Sequence, residues 1–143
     1  MTLIVCTCLA LWTLALPLAA QQTKAIPTGS AVDIKGVRYR ESDYRGTLVP
    51  WLQDVVNRLV PDYPASDIPF RHEGDGLFCA TLDSKTGSVI NVTVAKSTGF
   101  SDLDRCAVAA LRHWSWKPEK WKEICIVFHF EIGKPVHPAD TDG

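Results

Sequence analysis

Apolar residues recur with two different periods along this chain. Over residues 47–60, TLVPWLQDVVNRLV, Leu48, Leu52, Val55, Val56 and Leu59 fall at helical spacing and form one apolar stripe, which predicts an N-terminal helix. Pro50 fits only the first turn, where a missing N–H breaks no hydrogen bond. Pro61 ends the element, and Tyr63 continues extended because a residue before proline is pushed out of the helical region. Residues 75–83, DGLFCATLD, and 88–96, SVINVTVAK, alternate instead with period two. Phe78, Ala80 and Leu82 share one face of the first strand; Ile90, Val92 and Val94 share one face of the second. Asp83, Ser84 and Gly87 supply the turn between them.

The helical period then returns. Gly99 breaks the second strand, and Ser101 with Asp104 three residues on has the pattern of a capping box. Leu103, Cys106, Ala107, Ala110, Leu111 and Trp114 form one continuous stripe, whose central alanines let a helix approach a sheet closely. Pro118 stops it. Residues 123–131, EICIVFHFE, predict a last strand with Ile124, Ile126, Phe128 and Phe130 on one face.

The order helix, strand, strand, helix, strand predicts an α+β fold in two layers, one sheet face covered by two helices. Burial of large apolar side chains, at roughly 1.5–3 kcal/mol each, can hold a domain over residues 45–132 without cofactor or metal, and none is expected. Residues 21–44 read as a weakly ordered linker, in which Val32–Ile34 and Val37–Tyr39 could form a marginal strand pair. Residues 133–143 read as a loose, polar tail.

Composition narrows the function. The chain has 143 residues, a formal net charge of −1 and 22% charged residues, which predicts one domain and gives no basic excess for nucleic acid. Its 46% hydrophobic content is inflated by the uncharged opening MTLIVCTCLALWTLALPLAA, followed at once by QQTK. Residues 1–20 read as a secretory signal peptide cleaved after Ala20, or alternatively as an uncleaved membrane anchor. Either reading exports the remainder.

Catalytic motifs are scarce. There is no G-x-S-x-G, P-loop or C-x-x-C, and His72, His113, His129 and His137 share no metal spacing with each other or with Cys and Glu. A non-enzymatic role is therefore expected. Asn91-Val92-Thr93 matches the glycosylation acceptor pattern, a three-residue signal of little specificity. Outside the opening segment, Cys79, Cys106 and Cys125 allow one disulfide and one thiol. Strand alternation turns both Cys79 and Cys125 away from the helix, so they could meet across adjacent strands, leaving Cys106 as a buried small hydrophobe. Three unpaired thiols are the other reading.

Taken in order, Tyr63-Pro64, Glu73-Gly74, Leu82-Asp83, Thr86-Gly87-Ser88-Val89, Lys96-Ser97-Thr98-Gly99, Leu103-Asp104, Ala107, Ala110, Arg112 and Trp114-Ser115-Trp116-Lys117-Pro118 resemble the TonB C-terminal domain family over about residues 61–132. The resemblance implies a β-β-α-β domain with a three-stranded antiparallel sheet, here with an extra N-terminal helix. It implies a periplasmic protein-binding module that adds an extended segment of an outer-membrane receptor, the TonB box, to a sheet edge. By similarity the receiving edge is the last strand, with Ile124, Ile126, Val127, Phe128 and Phe130, and Val60, Pro61 and Asp62 lie near the bound segment. Inner-membrane motor proteins and a homodimer are the further partners implied. A stand-alone periplasmic or secreted interaction module, without energy coupling, is the alternative, because the chain carries no long proline-rich spacer.

Overall fold

The computed structural model describes residues 28–45, 47–134 and 136–138. A hairpin of β1 (Ser30–Asp33) and β2 (Arg38–Arg40) is followed by a 3-10 turn at Glu41–Tyr44. One helical turn, α1 (Pro50–Gln53), leads into β3 (Val55–Asn57), and a second 3-10 turn at Ile68–Phe70 precedes β4 (Gly74–Leu82) and β5 (Val89–Lys96). The main helix α2 (Ser101–Leu111) is followed by β6 (Ser115–Trp116), β7 (Trp121–Phe130) and β8 (His137–Pro138). The main sheet runs β2-β1-β7-β4-β5 with β8 also paired to β7, while β3 and β6 form a separate ribbon. Each of these pairings is antiparallel. The α+β class and antiparallel sheet agree with the sequence reading; the strand count does not, because the flanking segments contribute strands of their own.

The core lies between the sheet and α2. Phe78, Ala80 and Leu82 of β4 and Ile124, Ile126 and Phe128 of β7 share it with Leu103, Ala107 and Leu111 of α2. The Trp-Ser-Trp exit completes it: Trp114 and Trp116 are both buried, 5.6 Å apart ring to ring, and Ser115 between them pairs with Asn57. Each indole also needs an acceptor when buried. Trp114 Nε1 donates to the Leu59 carbonyl at 2.7 Å, and Trp116 Nε1 to the Trp51 carbonyl at 2.7 Å.

The Trp116 bond bears on why the helix expected over residues 47–60 stops after one turn, since a longer helix would give the Trp51 carbonyl to the Val55 N–H. Val55 and Val56 are β-branched and weak helix formers. Val55 pairs with Trp116 as a strand residue instead, and the Leu59 carbonyl is given to an indole. Only part of the apolar stripe is covered: Leu52 and Val55 pack against the core, but Leu48 is 47% exposed, Val56 66% and Leu59 49%, whereas Trp51 and Asp54, off the stripe, are buried.

Residues 28–44 are ordered rather than linker-like. The Asp33 carboxylate accepts the Lys35 and Val37 N–H groups at 2.9 and 2.8 Å, closing the tight β1–β2 turn in which Gly36 takes φ +85°. Ala31 is buried, and Tyr39 meets Trp121 edge-on at 5.5 Å. The hairpin therefore docks through apolar contacts as well as through the ladder. Part of the expected loose tail is also ordered, since Phe128 and His129 pair with Pro138 and His137. The opening segment, residues 1–20, lies outside the described residues.

The last strand is not an edge. β4 pairs with β7 from Glu123 to Phe130 on one side. On the other side β1 pairs with Trp121 to Cys125, and β8 with Phe128 and His129. Its composition agrees with that position: Ile124, Cys125, Ile126, Val127 and Phe128 are consecutive and all buried, as in a strand covered on both faces.

Candidate functional site

Strand β5 is the open side of the sheet next to α2. It pairs with β4 alone, over Val89 to Lys96. Its sequence VINVTVAK is rich in β-branched residues and carries no proline and one charge, at its end. Natural edges are normally blunted by proline, charge or bulges. This one has only register shifts, opposite Leu77/Phe78 and Thr81/Leu82. Ile90 is 66% exposed and Val94 41%.

The disulfide fixes which backbone groups of β5 face outward. Cys79 and Cys125 are directly opposite, with Cα atoms 3.9 Å apart, and are joined by a disulfide. So close an approach marks a pair that does not exchange backbone hydrogen bonds. Cys79 therefore turns its N–H and C=O toward β5, where it faces Thr93. Thr93 spends its backbone groups on β4, and its neighbours Val92 and Val94 point theirs away from the sheet. Val92 and Val94 oppose Ala80 and Phe78, so their side chains lie on the helix side. A strand added to β5 would pair with Val92 and Val94 and place its matching side chains above α2.

There the structure has an open groove of about 470 Å³, lined by Val94, Val108 and Ala109 together with Ser101, Asp104, Arg105 and Arg112. Arg105 pairs with Asp102 one turn earlier on the same helix. Among the described residues Arg112 has no ion-pair partner, but Asp104 in the same lining and Asp102 balance the two arginines in number.

The β5–α2 connection is held stiffly. The helix begins after Phe100, whose side chain makes no cap, and Ser101 does not form the expected capping box. Asp104 reaches further back: its Oδ1 accepts the Thr98 N–H and the Thr98 hydroxyl, each at 2.8 Å, and its Oδ2 accepts the Ser97 hydroxyl at 2.5 Å. Ser-Thr-Gly thus acts as a unit, with Gly99 at φ +100° making the bend.

The expected binding residues are not brought together at an edge. Ile124, Ile126, Val127, Phe128 and Phe130 are all buried in the interior strand. Val60 and Asp62 are exposed and Pro61 is buried, on the segment that Trp114 anchors through Leu59. Cys106 is not under the core. It is half-buried on the other flank of α2, beside Pro64, Ser66 and Asp102, and burial, with Asp67 and Asp62 nearby, pushes its thiol above the usual range despite Arg105. Such a thiol is a poor nucleophile.

His72 and His129 are held by carboxylates, and His113 is exposed. His72 Nδ1 lies 3.1 Å from the buried Asp67, its ring between Phe70 and Phe100; His129 Nδ1 lies 2.5 Å from Asp75; and the His113 carbonyl accepts the Asn57 amide. Among the described residues no three His, Cys, Asp or Glu side chains converge as a metal site, and no helix is long and apolar enough to cross a membrane. Sequence reasoning missed one polar centre. Asp54 is 5% exposed and accepts from Lys117 at 2.9 Å, Lys120 at 3.0 Å and Trp121 Nε1 at 3.2 Å. Nothing in local spacing marks it, since its partners lie more than sixty positions away.

The family model for the Gram-negative bacterial TonB protein C-terminal domain matches residues 60–132, 73 of the 143 residues. No curated protein and no solved structure matches the chain.

Proposed function

We propose, for a chain that belongs to the TonB C-terminal family, that its domain binds an extended segment of an outer-membrane receptor by strand addition at β5. The family is a non-enzymatic, envelope-associated protein-interaction family of Gram-negative bacteria, which sets the class of partner. The observation that carries the choice of strand is that β5 pairs with β4 alone and lies beside a groove, a position in which the backbone groups of Val92 and Val94 face outward. Strand addition needs free N–H and C=O groups in register, with side-chain space on one face. The cross-strand disulfide supports a periplasmic setting, because such bonds persist in oxidising compartments.

A second reading keeps β7 as the receiving strand. It is favoured by the shortness of β8, two residues, which a longer strand could displace from Phe128 and His129. Val94→Pro separates the two. An outward N–H is lost, but the β4 ladder is kept, so an edge proline is tolerated. A titration with synthetic receptor-derived extended segments is expected to shift resonances of Val89–Lys96 in the unaltered domain and to lose affinity at least tenfold in the variant. Unchanged affinity, with shifts along Ile126–Phe130, would assign binding to β7 instead. Coupling to inner-membrane motor proteins further requires that residues 1–20 be retained as an anchor. N-terminal sequencing of the exported protein decides that point, a start at Gln21 leaving the stand-alone module.

A further inference from the structure

We infer that Asp75, His129 and His137 form a site for one divalent transition-metal ion on the sheet face turned away from α2. The two histidines share no metal spacing in the sequence, but the reversal between β7 and β8 removes their separation. The ladder sets His137 directly opposite His129 on one side of β7 and Asp75 directly opposite it on the other, so the three residues lie in one row across β4, β7 and β8. Phe128 and Phe130 belong to the core, which places His129 between them on the other face. Directly opposite residues of an antiparallel pair have Cβ atoms about 4.5–5.5 Å apart, a span that two imidazoles can close on one ion held about 2.0–2.1 Å from each nitrogen. Asp75 supports the His129 ring, its Oδ1 lying 2.5 Å from Nδ1. A carboxylate in that position orients a metal-binding imidazole and raises its basicity. The side chains of His129 and Asp75 are 27% and 35% exposed, so an aqueous ion can reach them. The charge at this end of the sheet also suits a cation. Three acids, Glu73, Asp75 and Glu131, stand there against two lysines, Lys134 paired with Glu131 at 2.6 Å and Lys96 opposite Leu77. Imidazole donors suit zinc, nickel or copper, whereas magnesium and calcium take oxygen ligands. An ion in this row ties β8 to β7 across a pairing only two residues long, the pairing that a strand received by β7 has to displace.

The test titrates Zn²⁺ into the full chain, carrying no affinity tag, and follows the histidine ring resonances. One ion per chain is expected, with the His129 and His137 rings shifting together and Mg²⁺ shifting neither. His137→Ala is expected to weaken zinc binding by more than about tenfold, and Asp75→Asn by about tenfold, the low end for loss of a group behind a metal ligand. Melting of each metal-free variant confirms that the fold is kept. In the unaltered chain zinc should raise the melting temperature, an effect that disappears in His137→Ala. An absence of ring shifts with Zn²⁺ would overturn the inference. So would shifts confined to His72 and His113, or zinc uptake that His137→Ala leaves unaltered, since either places the ion elsewhere. An affinity unchanged in Asp75→Asn would overturn the part given to Asp75.

Discussion

Asp54→Ala should be the most damaging polar substitution in the domain. The carboxylate is 5% exposed, and it is the acceptor for the buried Trp121 indole at 3.2 Å and for two ammonium groups, Lys117 and Lys120, at 2.9 and 3.0 Å. Its backbone carbonyl also takes the Lys117 N–H at 2.9 Å, which ties the chain leaving β6 to the turn after α1. The lysine side chains are 55% and 52% exposed, so each is rehydrated when the carboxylate goes and contributes at most about 1 kcal/mol. The indole has no such escape. Leaving a buried donor unsatisfied costs about 1–3 kcal/mol. The expected loss is therefore about 2–4 kcal/mol, or a melting temperature lower by roughly 10–25 °C for a domain of this size.

Burial alone would raise the Asp54 pKa, but hydrogen bonds from Lys117, Lys120 and Trp121 outweigh it and hold the carboxyl below its usual 3.8. With the folded value depressed, the contribution is fully present above the unfolded value and is lost as pH falls through 3.8 toward the folded one. Urea unfolding of the unaltered domain and of Asp54→Ala, each from neutral pH down to about pH 3, reads both effects. The two stability curves should converge as the acid limit is approached. Asp54→Asn, which keeps an acceptor for Trp121, should fall between them. A loss under about 0.5 kcal/mol at neutral pH, the size of an ordinary surface change, would refute the assignment of Asp54 as a buried anchor.

Two further perturbations probe the frame around the site. Reduction of Cys79–Cys125, a bridge spanning 46 positions, should lower stability by about 4 kcal/mol if constraint of the unfolded chain dominates; coincident urea midpoints with and without reductant would count against that. Gly87→Ala should cost more than about 2 kcal/mol, because φ is +73° and the new Cβ would stand 1.9 Å from the Trp116 carbonyl oxygen; a melting temperature within a degree or two of the unaltered domain would refute it.

How much of this was legible depends on the range of the interactions involved. The β4–β5 hairpin and α2 were, because period-two and period-3.6 patterns are local and each runs long enough to be unambiguous. The segment 47–60 was not. Its apolar spacing has a helical period, but Trp114 and Trp116, more than fifty positions away, take its carbonyls. Asp104 shows the same limit at short range. Spacing from Ser101 suggested a capping box, whereas the acid bonds to Thr98 and Ser97, outside the helix.

The interior position of β7 was missed for a related reason, although a signal was present. In EICIVFHF the apolar positions do not alternate; they are consecutive from Ile124 to Phe128. A strand at an edge, with one face solvated, has no use for such a run, and a central strand does. Read that way, β7 has to be closed on its second side by something in the chain, and Val32–Ile34 and Val37–Tyr39 are the only other strand-like stretches before the domain. Residues 28–44 and 136–138, which supply the closing strands β1 and β8, lie outside the stretch that the family model matches. They leave β5 on the opposite side of the sheet paired with β4 alone. If this domain receives a partner strand without first unpairing one of its own, β5 is the strand beside α2 that can take it.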